Sequence, residues 1–211
     1  MDHIIEMALN EFQPTEVSHD IDHRKYLILQ EPLKTMMTQI SPLKALYCGS
    51  RFSRTIKGLP FTYFPGAKDF LTGLSVFGCD SNLYSEFFHQ FSQVCHNVRS
   101  LTITFQNTLV SNGLKKFVSS QDRLNYLRLD LSELDYKNWM DIIPALTKHS
   151  NTLTNLCILI ENDWRLSFIA SFVNLQEFIL CYFHLMNWKM SLYQTYKPWG
   201  CLLVHQRKRS W

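Results

Sequence analysis

The chain has 211 residues, of which 46% are hydrophobic and 14% aromatic, enough for one domain or a small pair of domains with a substantial core. Its 21 basic and 18 acidic residues leave a dispersed formal charge of +3, which argues against nucleic acid or an acidic membrane surface as a partner. The six cysteines include no Cys-x-x-Cys pair and mostly fall in apolar runs, so we expect them to be reduced and buried.

The first residues of the chain do not resemble a targeting segment. Asp2 stands where a signal peptide has a basic region, and no apolar region follows it. The richest apolar run, 166–186, is interrupted by Asn174, Gln176, Glu177 and His184, whereas a membrane helix needs about 18 uninterrupted apolar residues. The sequence therefore predicts an intracellular protein, cytoplasmic or nuclear, that does not enter a membrane.

Residues 1–40 are predicted to form a leader and a capping helix. Pro32 occupies the first helical position, which proline favours. The apolar residues that follow it at i, i+3, i+4 and i+7 spacing are Leu33, Met36, Met37 and Ile40.

One phrase, Leu-x-x-Leu-x-(Leu/Ile/Val/Cys), then recurs six times, with Val or Phe replacing one leucine in two of the copies. The copies are Leu43–Cys48, Leu71–Val76, Val98–Ile103, Leu124–Leu129, Leu153–Ile158 and Leu175–Leu180. Their first residues are separated by 28, 27, 26, 29 and 22 residues. This is the range of roughly 20 to 29 residues that is typical of leucine-rich repeats, in which each copy is a strand.

The segments between the copies have helical apolar spacing, apart from Gly49–Lys68, which we expect to be an irregular repeat body or an extended loop. The next segment has a stripe around Phe87 and Phe91, with Asp80 or Ser81 as the candidate cap. The later segments are a short one at 114–118 that follows Ser111, one at 139–146 with Asp135 as candidate cap, and a mostly apolar one at 164–173.

Alternating strands and helices of this length predict an α/β fold. Neither element buries its apolar side alone, so we expect a leucine-rich-repeat-like solenoid over 41–187, with a curved parallel sheet and outer helices. The periodicity stops after Leu185, and 188–211 is predicted to be a divergent tail. Its basic cluster, Arg207–Arg209, is too short to predict nuclear import and is expected to be solvated.

Motifs for catalysis are missing from the sequence. It has no Gly-x-Gly-x-x-Gly, no Gly-Lys-Ser/Thr and no Gly-x-Ser-x-Gly. The His19–His23 run supplies two histidines four residues apart, but no second cluster completes a metal site. Cys95 and His96 are sequence neighbours, which seldom face each other as a catalytic pair, and Cys95 fits an apolar stripe. We therefore expect no enzyme, no metal and no cofactor.

The residues between the repeated apolar positions indicate a binding face. Strand side chains alternate, so these residues should face the concave side of the sheet. Several are tyrosine, phenylalanine or arginine, types enriched at interface hot spots. The predicted protein-binding residues are Tyr47, Phe77, Thr102, Tyr126, Arg128, Asp130, Asn155 and Glu177. The alternative is an ordinary solvated surface.

Several stretches resemble the repeat region of the large fungal F-box and leucine-rich-repeat-like families. They are Phe64–Leu71, Asp80–Tyr84, Cys95–Leu101, Gly113–Val118 and Leu146–Leu153. The resemblance covers about 40–187 and implies repeats that select a protein for a cullin-RING ubiquitin ligase. In those families an N-terminal F-box docks onto the cullin adaptor, but 1–42 lacks the Leu-Pro-type opening and three-helix pattern of an F-box.

The sequence thus favours a non-catalytic protein-interaction module that resembles the substrate-recognition repeats of F-box subunits. Its expected partner is a protein on the concave face, and the cullin adaptor is a second candidate. Two alternatives stay open. One is a standalone or truncated repeat scaffold without a ligase role, and the other is a small enzyme whose site uses residues interpreted here as structural.

Overall fold

The computed structural model describes residues 4–6, 43–49, 64–106, 109–131, 139–160, 166–182 and 200–205. The strands are β1 (Ile4–Glu6), β2 (Ala45–Cys48), β3 (Val76–Asp80), β4 (Ser100–Thr104), β5 (Tyr126–Asp130), β6 (Asn155–Ile160), β7 (Glu177–Tyr182) and β8 (Gly200–His205). The α-helices are α1 (Ala67–Thr72), α2 (Ser85–Val94), α3 (Asn112–Ser119) and α4 (Ile143–Thr147). Two 3-10 helices, Met140–Ile142 and Ser167–Ser171, complete the described elements.

All eight strands form one sheet, and their order in space is their order along the chain. Six parallel pairs join β1 through β7, while β8 runs antiparallel to β7. The prediction of an α/β fold with a parallel sheet and helices is confirmed at this level. The sheet also takes one strand from each terminal segment, since β1 lies within 1–40 and β8 within 188–211.

A repeated backbone hydrogen bond fixes how the parallel strands align. The carbonyl of Lys44, just before β2, accepts from the amides of Ser75 and Val76 at 3.0 Å each. The same arrangement recurs at the next four steps, where one carbonyl accepts from two successive amides at 2.8 to 3.0 Å. The four further acceptors are Ser75, Arg99, Asn125 and Thr154. Each strand therefore begins at the same level as its neighbour.

The core lies between the helices and one face of the sheet, because alternate strand residues point towards the helices. In β4 these are Leu101 and Ile103, and in β5 they are Leu127 and Leu129, each 1% exposed or less. Burying one such side chain stabilises the fold by about 1.5 to 3 kcal/mol before the entropy of ordering is counted. Adjacent strands stack these side chains in continuous rows.

An aromatic cluster joins β3 to α2 and α3. The ring centroid of Phe77 lies 5.2 Å from that of Phe91 and 5.2 Å from that of Phe117. Phe87 stacks on Phe91 at 4.6 Å. These distances are in the range that aromatic pairs favour, so the cluster contributes beyond the area that it buries.

The alignment of the second repeat copy is wrong by three residues. Leu71 lies in α1 and not in a strand, and the strand begins only at Val76. The structure pairs Leu46 with Phe77 and Cys48 with Cys79. The copy that fits is therefore Leu74–Cys79, which lies 31 residues after the first copy and 24 before the third.

The predicted helices are confirmed in part. The short segment after Ser111 is α3, and Ser111 caps it, since its hydroxyl accepts from the amide of Leu114 at 3.2 Å. The cap of α2 is Tyr84, whereas Asp80 ends β3 and Ser81 accepts a bond from the amide of Gln106. The fourth segment is helical, with a single turn of 3-10 helix before α4, whereas the fifth has only a 3-10 helix at Ser167–Ser171. The capping helix at 32–40 and the cap Asp135 lie outside the described residues.

A second set of bonds joins the ends of successive helices. The side-chain amide of Gln121 donates to the carbonyls of Cys95 and Phe117, at 2.9 Å each, while its oxygen accepts from the amide of Val98. One repeat later, the buried His149 ring donates from Nε2 to the carbonyl of Val118 at 2.9 Å. Buried polar side chains thus satisfy carbonyls that a helix end leaves without an intrahelical partner.

Replacing Leu127 by Ala should lower the free energy of unfolding by about 2 to 5 kcal/mol, because the cavity lies in a filled row of the core. Leu109→Ala is the matched control, since Leu109 is 75% exposed and should change stability by about 0.5 kcal/mol or less. Urea unfolding followed by circular dichroism measures both. Equal effects of the two variants would contradict this core.

The buried position of His149 predicts a loss of stability in acid. Burial lowers its pKa in the folded protein; Lys148 adds to this, while the bond to Val118 and the charge of Asp122 oppose it. The unfolded chain then binds the proton more readily, so stability should fall as the pH drops below about 6.5, the ordinary histidine pKa. His149→Gln keeps an amide donor, as Gln121 provides one repeat earlier, and should flatten the decline. Urea midpoints at pH 8 and pH 5 test this, and equal declines in both proteins would contradict it.

Candidate functional site

The face of the sheet that points away from the helices carries the other alternate residues, and we call it the open face. None of its residues in β2 to β5 belongs to the main core cluster. The parallel register aligns them in three rows across the strands. The first row is Ala45, Val76, Ser100, Tyr126, Asn155 and Glu177; the second is Tyr47, Gly78, Thr102, Arg128, Cys157 and Ile179; the third is Asp80, Thr104, Asp130, Leu159 and Cys181.

Seven of the eight predicted binding residues lie on this face. Tyr47 is exposed, and the others are half-buried. The half-buried residues are Thr102, Tyr126, Arg128, Asp130, Asn155 and Glu177. The register brings five of them, on β5, β6 and β7, into one continuous patch next to Thr102.

The placement of Phe77 on the binding face is wrong. Its ring is 0% exposed and lies inside the aromatic cluster on the helix side. The cause is the misaligned second copy, because a shift of three residues exchanges the two faces of a strand. The open-face residues of β3 are Val76, Gly78 and Asp80, which sequence reasoning missed. The pattern Leu74-x-x-Phe77-x-Cys79 would have revealed them, since it has Phe in place of the second leucine, as Phe178 is in the sixth copy.

A polar cluster occupies the amino ends of β5 to β7 on the open face. The amide nitrogen of Asn155 donates to the carboxylate of Glu177, and the hydroxyl of Thr154 donates to Asn155 Oδ1 at 2.7 Å. The guanidinium of Arg128 donates to the phenol oxygen of Tyr126. These bonds hold polar side chains in fixed positions, which lowers the entropy that a partner would have to remove on binding.

The phenol of Tyr126 lies within the electrostatic reach of residues on two neighbouring strands. Burial raises its pKa most, and Cys157 and Glu177 raise it further, whereas Arg128 opposes them through its charge and its hydrogen bond. The phenol therefore stays protonated and can donate a hydrogen bond to a partner. Ionisation would place a negative charge on the phenol, and the negative carboxylate of Glu177 would repel it.

An apolar patch adjoins this cluster on β6 and β7. Cys157, Leu159 and Cys181 are 5 to 8% exposed and pack with the half-buried Ile179. The open face thus changes along the sheet. Hydroxyl and glycine positions predominate on β3 and β4, the polar cluster starts on β5, and the apolar patch lies on β6 and β7.

Of the two features considered for chemistry, the Cys95 and His96 pair is not assembled into a reactive site. Cys95 is buried and its thiol donates to the carbonyl of Leu71 at 3.6 Å, while the His96 ring bonds to the carbonyl of Ser120 at 3.2 Å. The two side chains thus bond to backbone carbonyls near the ends of two different helices. The His19–His23 run lies outside the described residues. Within the described ranges, no group of three or more His, Cys, Asp or Glu side chains is placed to hold a metal ion.

Comparison with protein-family models, with curated proteins and with solved structures finds no match for this chain. In the part of the chain that the structure describes, no helix has the length and apolar content to span a bilayer. A function for this chain has therefore to be argued from the geometry of its open face.

Burial should protect Cys95 from alkylation in the folded protein. Burial raises its pKa to about 12, which leaves almost no reactive thiolate at pH 8. We expect iodoacetamide to modify Cys95 only when the chain unfolds in guanidinium, as followed by peptide mass spectrometry. Modification of the native protein as fast as that of the unfolded chain would contradict the buried, structural role.

Proposed function

We propose that this chain is a leucine-rich-repeat-like solenoid that acts as a non-catalytic interaction module and binds a partner protein through the open face of its sheet. The observation that carries the proposal is the division between the two faces. One set of alternate strand residues fills the core, and the other set presents aligned polar and aromatic side chains. Repeat proteins use such extended surfaces for binding.

The composition of the open face supports binding to a protein. Tyr47, Tyr126 and Arg128 are of the types that dominate interface energetics. Tyr126 and Arg128 are positioned by their mutual bond, while Thr102 and Ser100 beside them leave room for a partner's side chains. Substitutions on the open face can also leave the core intact, because open-face residues alternate with core residues along each strand.

The strand order is a further argument for a surface and against an enzyme cleft. Parallel α/β enzymes bind their ligands in the crevice where the strand order reverses. In the described sheet the order runs from β1 to β8 without a reversal, so the fold provides no crevice of that kind. A small enzyme stays the less favoured alternative, and it would require titratable groups that converge in a pocket.

We further propose that the repeats serve as the substrate-recognition part of a cullin-RING ubiquitin ligase, with the ubiquitin chemistry performed by partner enzymes. The support for this step is the resemblance of 40–187 to the F-box families. A direct test is whether purified 1–211 binds the cullin adaptor, with an intact F-box protein as positive control. Binding supports the ligase role, and failure to bind by a folded chain favours a standalone scaffold.

Reversing the charge of Arg128 should abolish partner binding while the protein stays folded, because Arg128 is on the open face and outside the core. A photo-crosslinking residue in place of Thr102 reports the partner, and Arg128→Glu should remove its crosslinks. Lys116→Glu is the matched control, since it makes the same charge reversal on an exposed helix position.

The proposal would be contradicted by crosslinks at Thr102 that persist in Arg128→Glu. It would also be contradicted if Lys116→Glu removed the crosslinks equally well. Thermal unfolding of both variants verifies that the sheet is intact, so that a loss of crosslinks can be assigned to the surface.

A further inference from the structure

Tyr47 forms a feature of the open face that lies apart from the polar cluster. Its ring packs on β3 in the space above Gly78, where an added Cβ would lie 2.4 Å from Cδ1 and 2.8 Å from Cε1. Such distances are far below van der Waals contact, so this ring position requires a residue without a side chain at 78. The residue is nevertheless 42% exposed. β3 therefore supports one side of an aromatic ring whose remainder faces solvent.

The carboxylate of Asp80 lies near the end of β2, one open-face position beyond Gly78 on the same strand. Its Oδ2 is 3.8 Å from the position of a Cβ on Gly49, which is two residues after Tyr47 and hence on the same side of the chain. The carboxylate of β3 therefore reaches across to the end of β2. Its charge also contributes to the raised pKa values of Cys48 and Cys79, after burial, which is consistent with a position between these two strands.

We infer that Tyr47 and Asp80, with the space left by Gly49 and Gly78, form a subsite for an arginine side chain of the partner protein. This inference deepens the proposed function and rests on it. The guanidinium would stack on the exposed part of the Tyr47 ring and donate to the Asp80 carboxylate. A carboxylate has about four acceptor positions, so Asp80 can accept these bonds in addition to its contacts within the chain.

Arginine fits this subsite better than other side chains. Its planar guanidinium can stack on a ring and pair with a carboxylate at once, whereas a lysine ammonium is a compact, more strongly hydrated charge. A partner carboxylate would be repelled by Asp80. From β2 to β7 the open face has three carboxylates, Asp80, Asp130 and Glu177, against the single cation Arg128, although the whole chain has a charge of +3. The charge of the face therefore complements a basic partner.

The test uses blocked arginine, N-acetyl-arginine amide, with N-acetyl-citrulline amide as a neutral probe of nearly the same shape. Titration into the full chain is followed by ¹H–¹³C NMR of the tyrosine rings, with the Tyr47 signal assigned from its loss in Tyr47→Phe. We expect the Tyr47 ring signal to shift saturably with arginine at millimolar concentrations, and citrulline to give no saturable shift. Amide signals of β2 and β3 report binding to variants that lack this ring.

Three variants separate the parts of the subsite. Tyr47→Ala should eliminate arginine binding, and Asp80→Asn should weaken it about tenfold, the effect of losing one modest ionic contact. Asp122→Asn is the matched control, because it makes the same change at an exposed position outside the open face and should leave binding unchanged. Gly78→Ala keeps both binding groups but displaces the ring, so it should weaken binding as well.

Equal responses to arginine and citrulline would overturn the inference, as would binding that survives Tyr47→Ala or falls equally in Asp122→Asn. Thermal unfolding confirms that each variant is folded. If Gly78→Ala does not fold, Tyr47→Ala still decides the test, because it removes an exposed side chain. The proposed function fails separately. If the arginine probe does not bind while Arg128→Glu still removes the partner crosslinks, the subsite is wrong and the binding face stands.

Discussion

At each strand entry from β3 to β7, one carbonyl accepts hydrogen bonds from two successive amides. The other features of the structure depend on this constraint. In a parallel sheet, a shift of one residue would move every core side chain of a strand to the opposite face. The carbonyls of Lys44, Ser75, Arg99, Asn125 and Thr154 prevent such a shift at five successive steps. Each apolar row therefore stays continuous under the helices, and each open-face row stays continuous on the other side.

The same register creates the proposed binding surface. Tyr126 and Arg128 on β5 lie beside Asn155 on β6 and Glu177 on β7 only because the strands begin at the same level. The hydrogen bond from Asn155 to Glu177 is therefore a consequence of alignment and not of proximity in sequence. At the other end of the face, the Tyr47 ring fits because β3 places a glycine opposite it. Polar contacts and aromatic contacts on this face thus have a common backbone origin.

Most of the strand positions could be predicted from the sequence, because the leucine phrase records which residues enter the core. Five of the six copies have the correct register, and the short helical segment after Ser111 was recognised. The second copy failed because Leu71 and Leu74 are both leucines three residues apart, and the true strand uses Phe77 and Cys79 at the repeated positions. Contacts between neighbouring strands, such as that of the Tyr47 ring with Gly78, depend on packing between repeats. The sequence of a single repeat does not show this packing.

The sequential order of the strands has a consequence for how the chain folds. Each described strand pairs only with the strand before it and the strand after it. From β2 to β7, each pairing therefore closes a loop of about one repeat. No pairing requires distant parts of the sequence to meet first, and loop closure therefore costs little entropy at any single step. Folding can begin at the well-packed repeats around the Phe77 cluster. It can then extend strand by strand in both directions, without requiring the whole chain to collapse at once.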